Sequence, residues 1–77
     1  MQDLNLLIIF ARVVEAGSFA EAARRMDISR AAVSKAVAKL AKDLSKRLLL
    51  RSTRYLSLTE TGIALSEHVA RFLAEAE

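Results

Sequence analysis

The chain has 77 residues and a net charge of +3, with one His and neither Cys nor Pro. This length allows one domain, and the missing cysteines exclude disulfides, thiolate nucleophiles and thiolate-based zinc or iron–sulfur sites. The longest apolar run, from Leu6 to Ala11, is far shorter than the ~20 residues of a membrane helix, and no basic stretch precedes it as in a secretory signal. We therefore expect a small, soluble, cytoplasmic domain.

A first helix is predicted after Asp3. The residues that recur on one helical face, and that we expect in the core, are Leu4, Leu7, Ile8, Ala11 and Val14. Leu6, Phe10 and Val13 form a second apolar stripe beside that face, and a helix apolar on two sides needs two partners. We expect this second stripe to contact another subunit. Gly17 predicts the end of the helix because glycine accepts the left-handed conformation.

Ser18 and Glu21 predict the start of a short second helix. The Ser18 hydroxyl can accept the Glu21 amide while the Glu21 carboxylate returns to the Ser18 amide, as in a capping box. The expected buried stripe of this helix is Phe19, Ala22, Ala23 and Met26. Arg24 and Arg25 point away from that stripe, and we expect one of them to pair with Glu21.

Ser29 predicts the N-cap of a third helix. Its inward row is Val33, Val37, Leu40 and Leu44. The opposite side carries small and basic residues, namely Ala31, Ser34, Lys35, Ala38, Lys39 and Lys42. A solvated helix usually mixes both charges, yet no carboxylate appears on this one before Asp43. Such a face suits close approach to a large anionic partner.

A short hairpin is predicted next, with strands near residues 47–50 and 55–58 and a basic tip at 51–54. Thr59 is the expected N-cap of a long fourth helix that runs to Glu77. Its apolar stripe is Leu65, Val69, Phe72 and Ala76. We expect this stripe to pair with a second copy of the chain, because exposed apolar patches usually mark interfaces. The alternative is that the helix packs against its own subunit.

The charge distribution points to a polyanion. Residues 24–54 contain ten basic and two acidic side chains, a net charge of +8, whereas the other residues together carry −5. The alternative is an ordinary set of solvated cations. Three helices and a basic-tipped hairpin predict a mostly α, winged helix-turn-helix fold, whose third helix enters the major groove. We expect a DNA-binding domain over 1–59 and a linker, or dimerisation, helix over 60–77.

Several spaced motifs resemble those of the N-terminal DNA-binding domain of LysR-type transcriptional regulators. They are residues 17–19 and 22–25 in the helix-turn-helix, 29–35 at the recognition-helix start, 51–54 in the wing, and 58–62 at the wing-to-linker junction. The resemblance implies a bacterial regulator whose effector-binding domain is absent from these residues. The chain departs from the family at Asp27 and Ser45, which replace customary glycines, although Asp tolerates the left-handed conformation. Arg30 and Ala31 replace a frequent Gln and Pro, and Leu49 replaces a frequent Phe.

The predicted DNA-binding residues are Ser29, Arg30, Ala31, Ser34, Lys35, Lys39, Lys42, Arg51 and Arg54. Arg30, Ser34 and Lys35 are candidates for base edges, since an arginine can bind guanine through two hydrogen bonds. The later lysines and the wing arginines are candidates for phosphates or the minor groove; Ser29 is first an N-cap and secondarily a phosphate ligand. The predicted dimerisation residues are Leu6, Phe10, Val13, Leu65, Val69, Phe72 and Ala76.

Other functional classes fit less well. An enzyme would need a nucleophile, a base or a metal cluster, and the sequence offers none; His68 stands alone among acids. We expect no cofactor and no metal, and double-stranded DNA with an inverted-repeat operator as the partner of a homodimer. The main alternative is a winged helix that binds protein rather than specific DNA. A small-molecule effector would act only through the absent domain.

Overall fold

The computed structural model describes residues 4–50 and 56–76. Its elements are α1 (Leu4–Ala16), α2 (Phe19–Met26), α3 (Arg30–Leu44), β1 (Leu49–Leu50), β2 (Ser57–Leu58) and α4 (Glu60–Ala76). The two strands pair in antiparallel register, with Leu49 opposite Leu58 and Leu50 opposite Ser57. Three helices, a two-stranded wing and a fourth helix confirm the predicted winged helix-turn-helix fold.

The core lies where α1, α2 and α3 meet, and the base of the wing packs against it. Its largest fully buried side chains are Phe10, Val13, Val33, Leu40 and Leu48. Removing each such side chain from water contributes about 1.5–3 kcal/mol to folding. Ala22 and Ala23 are also buried, and their small size lets α2 approach its neighbours closely.

The prediction for the second stripe of α1 is wrong. Phe10 and Val13 are 0% exposed and Leu6 is 7% exposed, so all three are buried in the core of their own chain and do not form the spare outward surface that was expected. The other stripe is the more accessible one: Leu4 is 50% exposed and Leu7 is half-buried beside α4. Two adjacent apolar stripes on one helix look alike in sequence, and only packing decides which faces inward.

Helices α2 and α3 both end on a residue in the left-handed conformation. Asp27 has φ 55° and Ser45 has φ 54°, which confirms that Asp27 can take this conformation in place of glycine. After α2, the Ile28 amide donates to the Ala23 carbonyl over 3.1 Å, and after α3 the Lys46 amide does the same to Ala41 over 3.1 Å. These paired ends are Schellman motifs, and they turn the chain sharply without glycine.

Helix α4 packs along α1 and against β2. Val69 is 6% exposed and Leu65 is half-buried, so this part of the predicted dimerisation stripe already lies against the body of its own chain. This matches the alternative in which α4 folds back on its subunit. Phe72 differs, with 52% of its side chain exposed, and the side chain of Ala76 lies outside the described part of the chain.

Candidate nucleic-acid interface

One side of α3 forms a continuous exposed surface. Every predicted contact residue between positions 29 and 42 is exposed, namely Ser29, Arg30, Ala31, Ser34, Lys35, Lys39 and Lys42. The opposite side is buried through Val33, Ala36, Val37 and Leu40. The same packing that anchors α3 therefore presents its basic side outward, and we call this set of seven exposed residues the α3 face.

The start of α3 is fixed locally. The Ser29 hydroxyl accepts the Ala32 amide over 3.0 Å, which confirms Ser29 as the N-cap. The Ser29 main chain is extended, so the helix begins directly after it. The first amides of α3 have no acceptor within the helix and point out of its N-terminal end. An N-terminus of this kind attracts anions because its amides and the helix dipole are both positive there. Arg30 is the first residue of the helix and adds a full charge at the same end.

The cations of the α3 face have no acidic partners among the described residues. Every ion pair within those residues lies elsewhere: Arg12 with Glu15 on α1, and Arg24 and Arg25 with Glu21 on α2. Within the described residues, Arg30, Lys35, Lys39 and Lys42 therefore form no ion pair with a carboxylate. A helix face with this charge and with small residues between the cations fits closely against a polyanion.

Helix α2 treats its arginines differently. The Glu21 carboxylate accepts hydrogen bonds from both Arg24 and Arg25, whereas the sequence predicted one pair and a return to the Ser18 amide. The first half of the capping box is confirmed, since the Ser18 hydroxyl accepts the Glu21 amide over 3.1 Å. The hydrogen bonds from Arg24 and then Arg25 lower the pKa of Glu21 to about 2, and the same contact raises the pKa of Arg24. Glu21 thus offsets part of the charge on α2.

The wing is described only at its base. The base of the hairpin packs against the core through Leu49 of β1 and Leu58 of β2, and Leu48, just before β1, is part of the core itself. Arg51 and Arg54, the predicted contacts at its tip, lie outside the described residues.

Sequence reasoning located the junction between the wing and α4 at residues 58–62 but missed one of its contacts. It identified Thr59 as an N-cap, which the 3.0 Å bond from the Gly62 amide to the Thr59 hydroxyl confirms. It did not anticipate that the same hydroxyl donates to the Arg47 carbonyl over 2.6 Å. The only available signal was the pairing of a cap residue with a glycine three positions later, which does not reveal what lies opposite.

In the part of the chain that the structure describes, open grooves run between α1 and α4. One is apolar, has a volume of about 240 Å³, and is lined by Leu4, Leu7, Leu65, His68, Val69 and Phe72. Another, of about 460 Å³, lies between the Arg12–Glu15 pair and the small residues Ala70 and Ala74. His68 is exposed beside Arg71, and no cluster of potential metal ligands occurs within residues 4–50 and 56–76. In the same ranges, no helix combines the length and apolarity needed to cross a membrane.

Comparison with known proteins places this geometry in a family. The model described as "Bacterial regulatory helix-turn-helix protein, lysR family" matches residues 4–63. An HTH-type transcriptional regulator of Xanthomonas campestris pv. campestris is 46% identical over 78 residues, which cover 97% of this chain and 23% of that protein. The HTH-type transcriptional activator AaeR of Escherichia coli is 42% identical over 77 residues, which cover all of this chain and 25% of the relative.

The fold matches a structure solved with DNA. The crystal structure of the BenM DBD/catB site 1 DNA complex superposes with a TM-score of 0.91 and 28% identity, covering 97% of this chain and 83% of that one. The chain spans about a quarter of the length of the curated relatives it matches. These relatives are transcriptional regulators rather than enzymes.

Proposed function

The chain belongs to the lysR family of bacterial regulatory helix-turn-helix proteins, and we propose that it binds double-stranded DNA sequence-specifically as the DNA-binding part of a cytoplasmic transcriptional regulator. One observation carries the proposal: the α3 face is wholly exposed and basic, with no acidic partners within the described residues. The major groove accepts a single α-helix of this kind.

We propose that the two ends of the α3 face contact different parts of the DNA. Arg30, Ser34 and Lys35 lie in the first turns of α3, which reach base edges when a recognition helix enters the major groove. Lys39 and Lys42 lie further along, where contacts to phosphate hold the protein in register without reading sequence. Arg51 and Arg54 of the wing are proposed to contact phosphate or the minor groove.

A salt titration with matched variants tests this division. Sites selected from random duplexes provide a preferred duplex, and fluorescence anisotropy gives its affinity beside that of a random one. Binding should weaken steeply as salt rises, because each neutralised phosphate releases counterions. Arg30→Ala should cost about 1–3 kcal/mol on the preferred site and relax discrimination there, whereas Lys42→Ala should weaken both duplexes alike.

Arg12→Ala is the control for the loss of one charge, since Arg12 lies on α1 in an ion pair with Glu15. It should change both affinities by less than about twofold, because Arg12 lies outside the α3 face and its exposed ion pair contributes little to folding. Binding that is independent of salt, or equal effects of Arg30→Ala and Arg12→Ala, would contradict the proposed interface. A complete absence of salt-sensitive DNA binding would favour the alternative of a protein-binding winged helix.

We also propose that two chains pair through α4 and read an inverted repeat. Phe72 supports this, because a large apolar side chain that is half exposed on a helix edge gains free energy when a partner covers it. Leu65 and Val69 line the same groove from its floor. Two-fold pairing would place both α3 faces on one side of the duplex. Sedimentation velocity tests it; a chain that stays monomeric at high micromolar concentration, with and without DNA, would contradict it.

In the whole regulator, we place recognition of a small-molecule effector outside residues 1–77. The supporting observation is that the curated relatives are about four times as long as the segment matched here. We therefore expect these residues to bind DNA without an effector. Isothermal titration calorimetry that detected micromolar binding of a small metabolite to the 77-residue chain would contradict this.

A further inference from the structure

The junction between the wing and α4 is held by hydrogen bonds that converge on Thr59. Its hydroxyl donates to the Arg47 carbonyl over 2.6 Å and accepts the Gly62 amide over 3.0 Å. Its own amide donates to the Leu48 carbonyl over 3.1 Å. The first turn of α4 is therefore tied to the two residues that precede strand β1.

Gly62 brings the two backbones into direct contact. A Cβ atom at this position would lie 2.2 Å from the Leu48 carbonyl oxygen, closer than any side chain allows. Leu48 is itself fixed, because its side chain is 1% exposed in the core. Since glycine has no side chain, the backbone of α4 lies directly against the Leu48 carbonyl at this position.

The same segment is tied to the end of α3. Only Ser45 and Lys46 separate the last residue of α3 from Arg47, and both take part in the Schellman motif that closes the helix. The Lys46 amide donates to Ala41 over 3.1 Å. A short path of main-chain and Thr59 hydroxyl hydrogen bonds thus connects the end of the recognition helix, through residues 45–48, to α4.

We propose that Thr59 is a positioning residue that fixes the direction of α4 relative to the α3 face, and so the spacing between half-sites that a dimer accepts. The proposal rests on the proposed function, in which α4 joins two chains that read an inverted repeat. Each additional base pair moves one half-site by about 3.4 Å and rotates it by about 35° around the duplex. A rigid junction cannot follow that displacement, whereas a loosened one can.

The experiment compares substitutions that separate the two hydrogen bonds of the Thr59 hydroxyl, one that caps α4 at Gly62 and one that links it to Arg47. Thr59→Asp keeps an N-cap acceptor for the Gly62 amide but has no proton to donate to the Arg47 carbonyl. Thr59→Ser keeps both bonds. Ser18→Asp is the matched control, because it introduces the same carboxylate at the cap of α2, where the Ser18 hydroxyl accepts the Glu21 amide and makes no other hydrogen bond within the described residues.

The readout is the ratio of affinities for two duplexes, one with the selected half-site spacing and one with a single base pair inserted. A uniform effect of the added charge cancels in this ratio. The wild type, Thr59→Ser and Ser18→Asp should all prefer the selected spacing by about tenfold or more, whereas Thr59→Asp should retain a preference below about threefold. Affinity of Thr59→Asp and Ser18→Asp for a single half-site should be equal within about twofold.

The possible results separate this inference from the proposed function. A wild-type chain that binds no duplex, or that ignores spacing, overturns the proposed dimeric DNA binding and the inference with it. A wild-type preference that Thr59→Asp fully retains overturns the inference alone. Circular dichroism first establishes folding, and Thr59→Val repeats the measurement if Thr59→Asp does not fold. If both variants unfold, Thr59 is required for folding rather than for the direction of α4, and this result would also overturn the inference.

Discussion

Replacing Gly62 with alanine should lower the stability of the domain because of one close contact with the Leu48 carbonyl. Gly62 lies in the first turn of α4, directly over the carbonyl of the buried residue Leu48. The added Cβ would lie 2.2 Å from that oxygen, whereas ordinary contacts begin at 3.4 Å, so one of the two backbones must move by about 1.2 Å. Leu48 is anchored in the core, and α4 is therefore the element that we expect to move.

The cost follows from three contributions. Overpacking a tight site costs about 1–3 kcal/mol. Moving the first turn of α4 also weakens the bonds from Thr59 to Arg47 and from Gly62 to Thr59, each of which contributes about 1 kcal/mol. Alanine recovers roughly 0.5–1 kcal/mol because it favours a helix over glycine. The net loss should be about 2–3 kcal/mol, which in a domain of this size lowers the melting temperature by roughly 10–20 °C.

Thermal unfolding followed by circular dichroism measures this loss, at a fixed protein concentration because association also stabilises the chain. Gly17→Ala is the comparison. Gly17 has φ +82° with nothing within 4 Å of a Cβ atom, so alanine there meets only backbone strain of about 1–2 kcal/mol. A Gly62→Ala chain as stable as the wild type, or more stable than Gly17→Ala, would refute the close contact between α4 and Leu48.

Two further predictions concern the helix ends and α2. Ser45→Gly should stabilise the domain by about 0.5–1 kcal/mol, and Asp27→Gly should stabilise it by less, because aspartate tolerates positive φ better than serine does. Urea unfolding measures both changes, and a larger gain at Asp27 would contradict this reasoning. The pKa of Glu21 is about 2 in the folded chain and 4.5 ordinarily, so the stabilisation it gives is complete above about pH 4.5 and disappears as pH falls toward 2. Glu21→Gln should flatten the melting temperature across that window, and an unchanged slope would rule out the contribution.

The helix starts could be predicted from sequence because their signals are local. Ser29 and Thr59 each accept an amide three residues later, and the side chain, the turn and the amide all belong to one short segment. The direction of the α3 face follows for a similar reason, since the inward row beginning at Val33 leaves only one exposed side for the cations. Charge and periodicity on one helix were sufficient for this part of the site.

Other features depend on what lies opposite, and the sequence does not contain that information. The Thr59 hydroxyl donates to the Arg47 carbonyl, twelve residues away in sequence. Glycine is required at position 62 because the Leu48 backbone lies against it, and not because of its own helix. The three hydrogen bonds that the Glu21 carboxylate accepts from Arg24 and Arg25 depend on the rotamers of those arginines. In each case the residue type was visible, but its partner was set by tertiary packing.

Phe10 and Phe72 together test how packing divides the two apolar sides of the chain. Phe10 is 0% exposed, so Phe10→Ala should cost about 3–5 kcal/mol, a large fraction of the 5–15 kcal/mol typical of a domain. Phe72 is 52% exposed, so Phe72→Glu should leave the monomer folded with a similar urea midpoint at low concentration. If α4 joins two chains, the same change places a carboxylate in the interface, and sedimentation should show a monomer whose binding to a single half-site is unaltered. A Phe72→Glu chain that still dimerises would exclude this edge of α4 from the interface, and a Phe10→Ala chain that loses less than about 1 kcal/mol would contradict the assignment of Phe10 to the core.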